Sequence, residues 1–335
     1  MNDIQYQFVK KILSSSSHSA KEVGRAFAPS NIALCKYWGK RDEVLNLPFN
    51  SSISISLGNK GSFTEIKRSN KDTFFLNDKI IDNETAFSCR LSKFLDLFRS
   101  HCRAPGFEIR TTNNIPTSAG LASSASGFAA LVLALNDLTG WELSKKELSL
   151  LARLGSGSAS RSIYNGFVIW NAGKNYDGLD SYSQLINVNW PEIRVGIIKI
   201  DESEKKISSR EAMKRCVATS KKYSSWPSIA EEHFRKIENS IIDKDIDILG
   251  STAEKNALKM HEVIRDTIPI IDFFTSETYE CLKQIKRLRK NNVTVYATVD
   301  AGPNVKILFL ENELKEICKE FKEIEIINPF GEANA

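Results

Sequence analysis

The amino-acid sequence predicts an α+β fold made of two domains. Predicted strands occupy the first part of the chain, helices dominate from about Ser209, and further strands follow near the C-terminus. This order favours α+β over the regular alternation of a parallel α/β sheet. The length of 335 residues suits two domains or one large compact unit. We expect an N-terminal extension over residues 1–24, a first domain over 25–190 and a second over 191–335, with no flexible linker between the domains.

Composition and charge are those of an ordinary globular protein. Hydrophobic residues make up 41% of the chain and charged residues 26%, and a net charge of +5 comes from 46 basic and 41 acidic residues. So mild a charge suits a small anionic substrate as well as nucleic acid, and we expect no nucleic-acid partner. Because no run of about 18 apolar residues is present, we expect no membrane span.

Cysteine and histidine usage indicates a cytoplasmic protein. The six cysteines form no C-x-x-C pair, and the N-terminal residues lack the apolar segment of a secretory signal. We therefore expect reduced thiols and a cytoplasmic location. The four histidines are scattered without the spacing of metal ligands, so no metal site made of protein side chains is predicted.

Short strands are predicted in the first half of the chain. The first readable element is Arg25–Leu34, after a serine-rich segment, Ser14–Ser17, that is expected to be loose and solvated. Residues 52–57 alternate serine with isoleucine or leucine, and this period of two predicts a half-buried strand. Asn77-Asp78 is typical of a turn. Further predicted strands are Ser62–Ile66, Thr73–Leu76, Phe107–Thr111, Phe167–Asn171 and Arg194–Ile200.

Helices are predicted from apolar spacing and from capping residues. Thr85–Ser100 has an apolar face of Phe87, Leu91, Phe94, Leu95 and Phe98. An apolar helix over Ala122–Leu138 is followed by Gly140 as its C-cap, and Ser144 with Glu147 forms a capping box for the next helix. The later predicted helices are Ile229–Ile242, Ile246–Arg265 and Thr275–Asn291. A hairpin of Val293–Val299 and Val305–Leu310 then surrounds residues 300–304.

A glycine- and serine-rich loop, Pro116–Gly127, joins a strand to a helix. Small residues let the backbone approach an anion, and the free N–H groups of a helix start suit phosphate. Composition alone also fits tight packing. The order of the residues is more specific, because it resembles the phosphate loop of the GHMP kinases. In that order a proline and three further residues are followed by Gly-Leu, one more residue and Ser-Ser-Ala. It lacks the Gly-Lys-Ser/Thr ending of a Walker loop. The resemblance implies a two-domain α+β fold with the active site in the cleft between domains, and an ATP site with Mg²⁺ at Gly120, Leu121, Ala122, Ser123 and Ser124.

Three further segments narrow the family. They are residues 28–42, which contain Lys36-Tyr-Trp-Gly-Lys40, the run Gly155-Ser-Gly-Ser-Ala-Ser-Arg161, and Asp300-Ala-Gly-Pro-Asn304. Taken singly they are typical of a solvated loop, a flexible connection and a hairpin turn. Together they resemble the diphosphomevalonate decarboxylases, from about residue 25 to residue 310. The resemblance implies transfer of the ATP γ-phosphoryl to the substrate's 3-hydroxyl, then loss of phosphate and CO₂ to give isopentenyl diphosphate.

The resemblance also implies residue roles. Asp300 matches the aspartate that orients or deprotonates the 3-hydroxyl, Arg161 the arginine that engages the carboxylate, and Lys36 a lysine near the reacting centre. The residues matching substrate contacts are Tyr37, Trp38, Gly39, Lys40, Ser156, Ser158, Ser209 and Arg210. For His261, which lies in a stretch that the family shares, we expect a supporting structural role.

One departure leaves alternatives open at the phosphate end. Some family members place an arginine after Ile-Asp-Asn-Glu, where this chain has Thr85, and a threonine carries no charge. Either Arg210 takes over or the phosphates are recognised differently. The alternatives are a decarboxylase of the 5-monophosphate, a 3-kinase that stops after phosphoryl transfer, and a non-catalytic protein that binds ATP or a metabolite. The family implies a homodimer.

Overall fold

The structure, a computed structural model, describes residues 3–14, 20–115, 123–201, 203 and 206–331. Most of the predicted loose segment Ser14–Ser17, and residues 116–122 of the predicted phosphate loop, lie outside these ranges. Three sheets, one of them a pair of short strands, and ten α-helices are described. None of these helices is long and apolar enough to span a membrane.

The elements alternate irregularly along the chain. The strands are β1 (Val23–Cys35), β2 (Lys40–Asp42), β3 (Leu47–Pro48), β4 (Ser52–Ser69), β5 (Thr73–Leu76), β6 (Lys79–Ile81), β7 (Gly106–Asn113), β8 (Phe167–Trp170), β9 (Ser183–Ile186), β10 (Ile193–Ile198), β11 (Val295–Val299), β12 (Val305–Leu310) and β13 (Glu325–Ile327). The helices are α1 (Asp3–Leu13), α2 (Ala86–Leu95), α3 (Arg99–Cys102), α4 (Ser123–Thr139), α5 (Lys145–Gly155), α6 (Ser209–Thr219), α7 (Trp226–Ile242), α8 (Ile246–Arg265), α9 (Ser276–Lys290) and α10 (Leu314–Glu320).

The first sheet has seven strands and the second has four. The first runs β6-β5-β7-β4-β8-β9, with β1 also paired to β4, and only its β5–β7 pair is parallel. The second runs β11-β12-β10-β13 and is antiparallel throughout. The predicted hairpin around residues 300–304 is therefore confirmed as the β11–β12 connection.

The predicted strands at 52–57 and Ser62–Ile66 are wrong as separate elements, because they form the single strand β4. Two glycines let the chain turn without leaving the sheet. Gly58 has φ +58°, and a Cβ on Gly61 would lie 2.0 Å from the Ala28 carbonyl oxygen. β1 pairs along both parts of β4, with a register shift at Pro29 to Asn31.

Local signals locate several of the helices, although α1 was missed and one predicted helix is divided in two. The capping box of Ser144 and Glu147 opens α5, and Ile246–Arg265 is confirmed as α8. The helix predicted over 85–100 is instead two helices, α2 and α3. Phe87, expected on its apolar face, is 51% exposed. Thr85 caps α2, which leaves Phe87 in the first turn, away from the core.

Four apolar cores hold the layers together. The first lies between the first sheet and α1, α2, α4 and α5, and includes Phe8 and Ile12 of α1. The second joins both sheets to α7 and α8, and the third packs α9 and α10 on the second sheet. The fourth gathers Trp38 with residues of α6, α7 and α8. Because the second core is shared, the two halves are packed together, and side chains from both can meet in one site.

Candidate active site

The centre of the candidate site is the carboxylate of Asp300, which follows β11 at the hairpin turn. Lys36 Nζ lies 2.7 Å from its Oδ1, and Lys306 Nζ lies 3.5 Å from its Oδ2. Both lysine side chains are only 2% exposed, whereas that of Asp300 is 29% exposed. A buried ammonium needs a counter-charge. Asp300 supplies it to two lysines while its own side chain stays partly exposed.

Lys36 is held from both halves of the molecule. It follows β1, and its Nζ also donates to the Ala33 carbonyl at 2.8 Å. Its backbone N–H donates to the Asn256 side chain on α8 at 2.7 Å. Burial lowers the pKa of Lys36, and the adjacent Asp300 carboxylate opposes that shift. The predicted residues Lys36 and Asp300 are thus brought together from opposite ends of the chain.

Arg161 is a buried cation with neutral neighbours. It lies in a short 3-10 helix, Gly157–Ile163, and donates to Ser52 Oγ at 2.6 Å and to Asn31 Oδ1 at 3.3 and 3.4 Å. Burial lowers its pKa to about 10. No carboxylate in the described ranges lies within ion-pair distance of the guanidinium. A planar guanidinium so placed can pair both oxygens of an incoming carboxylate.

Ser156 and Ser158 lie beside the start of α4. Their Oγ atoms are 3.2 Å apart, and Ser156 Oγ is 3.5 Å from Ser124 Oγ. The positive end of the α4 dipole therefore faces the same space, which suits a phosphate. Of the predicted nucleotide contacts, Gly120, Leu121 and Ala122 lie outside the described residues. Ser123 is the first residue of α4, and Ser124 is exposed.

Tyr37 and Lys40 continue the site away from Asp300. The Tyr37 ring meets the Trp170 ring edge-on at 4.7 Å, and burial raises the pKa of Tyr37. Its buried hydroxyl has no hydrogen-bond partner in the part of the chain that the structure describes. Lys40 is 4% exposed and pairs with Glu43 at 2.8 Å. Burial lowers the pKa of Lys40, and two nearby guanidinium groups, Arg210 and Arg90, lower it further.

Trp38 and Gly39, which lie between Tyr37 and Lys40, determine the path of the backbone there. The Trp38 indole packs in the fourth core, and its carbonyl accepts hydrogen bonds from Tyr223 Oη at 3.1 Å and Trp226 Nε1 at 3.0 Å. Gly39 has φ +96°, and a Cβ there would lie 1.7 Å from Tyr223 Oη. Both residues therefore fix the path from Tyr37 to Lys40. A direct substrate contact by either one stays a prediction.

Ser209 and Arg210 are the first two residues of α6. Ser208 caps this helix, and Arg210 is exposed, with its charge acting on both Tyr37 and Lys40. Asn304 links the β11–β12 turn to the segment that follows β10. Its side chain accepts from the N–H groups of Ile200 and Asp201 and donates to the Asp201 carbonyl.

Sequence reasoning missed Lys306, Asn31 and Asn256 as site residues. Lys306 carried a readable signal, because it is a lone charge in the otherwise apolar strand Val305–Leu310, where a lysine is buried only if it is paired. Asn31 and Asn256 carried none, because their importance lies in which distant group each one contacts.

His261 supports the turn that carries Asp300, which is the structural role expected for it. Its Nε2 lies 3.1 Å from the Asp300 carbonyl oxygen. Burial, with Lys36 and Arg265 nearby, lowers the pKa of His261 to about 3. The imidazole is therefore neutral at physiological pH, and its Nε2–H donates to that carbonyl.

The chain matches two family models that together cover most of it. One, described as the diphosphomevalonate decarboxylase-like N-terminal domain, matches residues 28–183. The other, described as the mevalonate 5-diphosphate decarboxylase C-terminal domain, matches residues 195–330. The diphosphomevalonate decarboxylase of Candida albicans is 36% identical over 302 residues, covering 85% of this chain and 83% of the relative. The diphosphomevalonate decarboxylase of Saccharomyces cerevisiae is 35% identical over 313 residues, covering 86% of this chain and 78% of the relative.

Solved structures of the same family share the fold. The mevalonate diphosphate decarboxylase of Staphylococcus aureus matches with a TM-score of 0.87 and 35% identity, covering 92% of this chain and 95% of that chain. A structure described as MDDEF in complex with MVAPP, AMPPCP and magnesium matches with a TM-score of 0.84 and 35% identity, covering 91% and 99%. These similarities confirm the predicted α+β fold.

The neutral state of His261 predicts a pH-dependent stability. The unfolded chain takes up a proton at this imidazole as the pH falls through 6.5, whereas the folded chain does so only near pH 3. The contribution of the neutral His261 side chain to the free energy of unfolding is therefore fully present above pH 6.5 and is lost as the pH falls toward 3. Relative to the His261→Gln variant, the wild type should lose about 2 kcal/mol more stability between pH 7 and pH 5. Urea unfolding of both proteins at pH 7 and pH 5 measures this difference. If the wild type and the variant lose the same free energy of unfolding between the two pH values, the prediction is wrong.

Proposed function

The chain belongs to the diphosphomevalonate decarboxylase family, and we propose that it converts (R)-5-diphosphomevalonate and ATP to isopentenyl diphosphate, ADP, phosphate and CO₂. One observation carries the proposal. The partly open Asp300 carboxylate is held between two buried lysines, and Arg161, which has no carboxylate partner among the described residues, is close enough for its charge to act on Lys36. This arrangement supplies a group for the 3-hydroxyl and another for the carboxylate.

Asp300 and Lys36 are suited to the phosphoryl-transfer step. The partly exposed carboxylate of Asp300 accepts a hydrogen bond from the 3-hydroxyl and orients the hydroxyl oxygen toward the γ-phosphoryl group. Lys36 and Lys306 offset the negative charge that gathers as the phosphoryl group approaches an anionic side chain. Because both ammonium groups are almost fully buried, water screens these charges only weakly.

Arg161 is suited to the decarboxylation step. Phosphorylation makes the 3-oxygen a good leaving group, and the electrons of the breaking C–C bond then form the alkene as phosphate departs. Arg161 fixes the carboxylate in the geometry for that cleavage, and its own position is fixed by Asn31 and Ser52. The neighbouring Trp170 ring provides an apolar wall, with its centroid 5.9 Å from the guanidinium carbon.

The start of α4 fits ATP and Mg²⁺. Ser124 and the positive end of the α4 dipole face the space beside Ser156. The described residues contain no group of three or more Asp, Glu, His or Cys side chains able to hold a metal. Mg²⁺ would thus be held chiefly by the nucleotide phosphates, with serine hydroxyls as protein contacts, and would offset phosphate charge.

The same proposal includes the domain division and the cellular context. Lys36 and Arg161 come from the 25–190 unit, and Asp300 and Lys306 from 191–335, which supports an active site in the cleft between them. Helix α1, within the 1–24 extension, packs on the first core. The six free thiols support a cytoplasmic location.

We also propose that the chain forms a homodimer. Phe27 and Phe63 are paired across β1 and β4, and are 38% and 44% exposed, so they leave apolar surface that a second copy can cover. Light scattering should give twice the single-chain mass of 37.6 kDa, and a value equal to it would contradict the proposal.

The 5-monophosphate remains the alternative substrate because Thr85 has a structural role. Its Oγ1 accepts from the Ser88 N–H at 3.1 Å and donates to the Asp82 carbonyl at 3.0 Å, which caps α2. Thr85 therefore provides neither charge nor an open hydroxyl for a phosphate, and selectivity for two phosphates must come from other residues.

A comparison of substrates tests the proposed function. With Mg-ATP, the protein should release CO₂ and ADP in equal amounts from diphosphomevalonate, with a kcat/KM at least about 10-fold higher than on the 5-monophosphate, because each well-placed charged contact is worth about a factor of ten or more. ADP without CO₂ would indicate a 3-kinase, and no turnover of any mevalonate compound would indicate a non-catalytic protein. A preference for the monophosphate would replace the assigned substrate.

A further inference from the structure

We infer that Arg90 binds the terminal phosphate of the substrate and gives the site its selectivity for a diphosphate over a monophosphate. Arg90 lies on α2, five residues after Thr85, and the sequence motifs assign it no role. The inference rests on the proposed function, because it concerns the far end of the same substrate. It is carried by where the guanidinium is held and by the charges around it.

The Arg90 guanidinium is fixed at the edge of the candidate site. Its NH2 donates to the Gly155 carbonyl at 2.5 Å, and its carbon lies 4.9 Å from the centre of the Phe128 ring on α4. Gly155 directly precedes Ser156, whose hydroxyl is 3.5 Å from that of Ser124. A carbonyl and an aromatic face use only part of the guanidinium, which leaves donor groups for an anion.

Arg90 belongs to a group of like charges that we call the cation cluster, made of Lys40, Arg90 and Arg210. Burial and the nearby charge of Arg210 together lower the pKa of Arg90 to about 10. The charges of both arginines act on Lys40. Within the described ranges, the cluster has one ion-pair partner, Glu43, which contacts Lys40 and whose side chain is 55% exposed. Three cations with one carboxylate repel each other unless an anion joins them.

The cations can be ordered by the groups on which their charges act. Arg161 acts electrostatically on Lys36 and Tyr37, Arg210 acts on Tyr37 and Lys40, and Arg90, which is held at the Gly155 carbonyl and the Phe128 ring, acts on Lys40. A substrate with its carboxylate at Arg161 therefore extends its phosphates past Tyr37 toward the cation cluster. The inner phosphate lies nearest Lys40 and Arg210, and the terminal phosphate reaches Arg90.

This geometry explains how the chain can recognise a second phosphate group of the substrate although Thr85 carries no charge. A guanidinium matches two phosphate oxygens at once, and its five donors are not exhausted by the single hydrogen bond to Gly155. A monophosphate would fill the inner position and leave Arg90 without an anion, so the contact at Arg90 discriminates between the two ligands.

Kinetics of Arg90→Gln on two substrates tests the inference. The kcat/KM on diphosphomevalonate should fall about 10- to 100-fold, mainly through KM, because a charge-assisted contact is lost. The kcat/KM on the 5-monophosphate should fall less than about threefold, the KM for ATP should not change, and Arg90→Lys should restore part of the loss. Equal losses on both substrates would show that Arg90 acts structurally, and no loss would remove it from the site.

Arg110→Gln is the matched control. Arg110 also stacks on a phenylalanine, 3.8 Å from the Phe75 ring centre, and pairs with Glu108 on the outer part of the first sheet. Its substitution removes the same charge and the same kind of stacking, and should leave both substrates unaffected. If Arg110→Gln lowers the kcat/KM on diphosphomevalonate as much as Arg90→Gln does, the effect is one of net charge and the inference is wrong.

Binding of inorganic pyrophosphate separates this inference from the proposed function. Calorimetry with the wild type should show pyrophosphate binding at least about 10-fold tighter than to Arg90→Gln, and a smaller difference for inorganic phosphate. If no mevalonate compound is turned over but this difference is seen, the proposed function fails and the anion site at Arg90 stands. If turnover is seen and pyrophosphate binds both proteins equally, the function stands and the inference fails.

Discussion

The ion pair of Lys36 and Asp300 is the interaction on which the candidate site depends. Its two partners are 264 positions apart in the chain and come from different sheets. A buried lysine without a counter-charge costs several kcal/mol, so the burial of Lys36 requires the β11–β12 turn to approach β1. The turn is then held by His261 below Asp300 and by Asn304 beside it. Packing of the two halves therefore holds the Asp300 carboxylate in a fixed place.

The arginines of the candidate site, unlike Lys36, are not paired with a carboxylate of the described residues. Arg161, Arg90 and Arg210 have no carboxylate within ion-pair distance in the described parts of the chain, and burial lowers the pKa of Arg161 and Arg90. Such groups cost stability in the free protein and regain it when an anion binds. A ligand with a carboxylate at one end and phosphates at the other satisfies all three. The charges of the site are thus balanced at Asp300, whereas the three arginines lack a carboxylate partner among the described residues.

The sequence predicted what depends on neighbouring residues. Turn residues at 300–304, the capping box of Ser144 and the apolar spacing of α8 are local signals, and each is confirmed. The roles of Lys36, Arg161 and Asp300 came from family resemblance rather than from spacing. Contacts between residues distant in the chain were not predictable: Asn256 with Lys36, and Arg90 with Gly155, follow only from the folded chain. Helix α1 was missed because its short apolar face gains its stability from the core it packs against.

A double-mutant cycle on the free energy of unfolding tests the Lys36–Asp300 constraint most directly. Lys36→Met, Asp300→Asn and the double variant are compared with the wild type by urea denaturation at pH 7. If the pair holds the halves in register, each single variant is strongly destabilised and the double variant loses about 1–3 kcal/mol less than the two single losses combined. Losses that add within about 0.5 kcal/mol would contradict the account, because the two groups would then be stabilised independently.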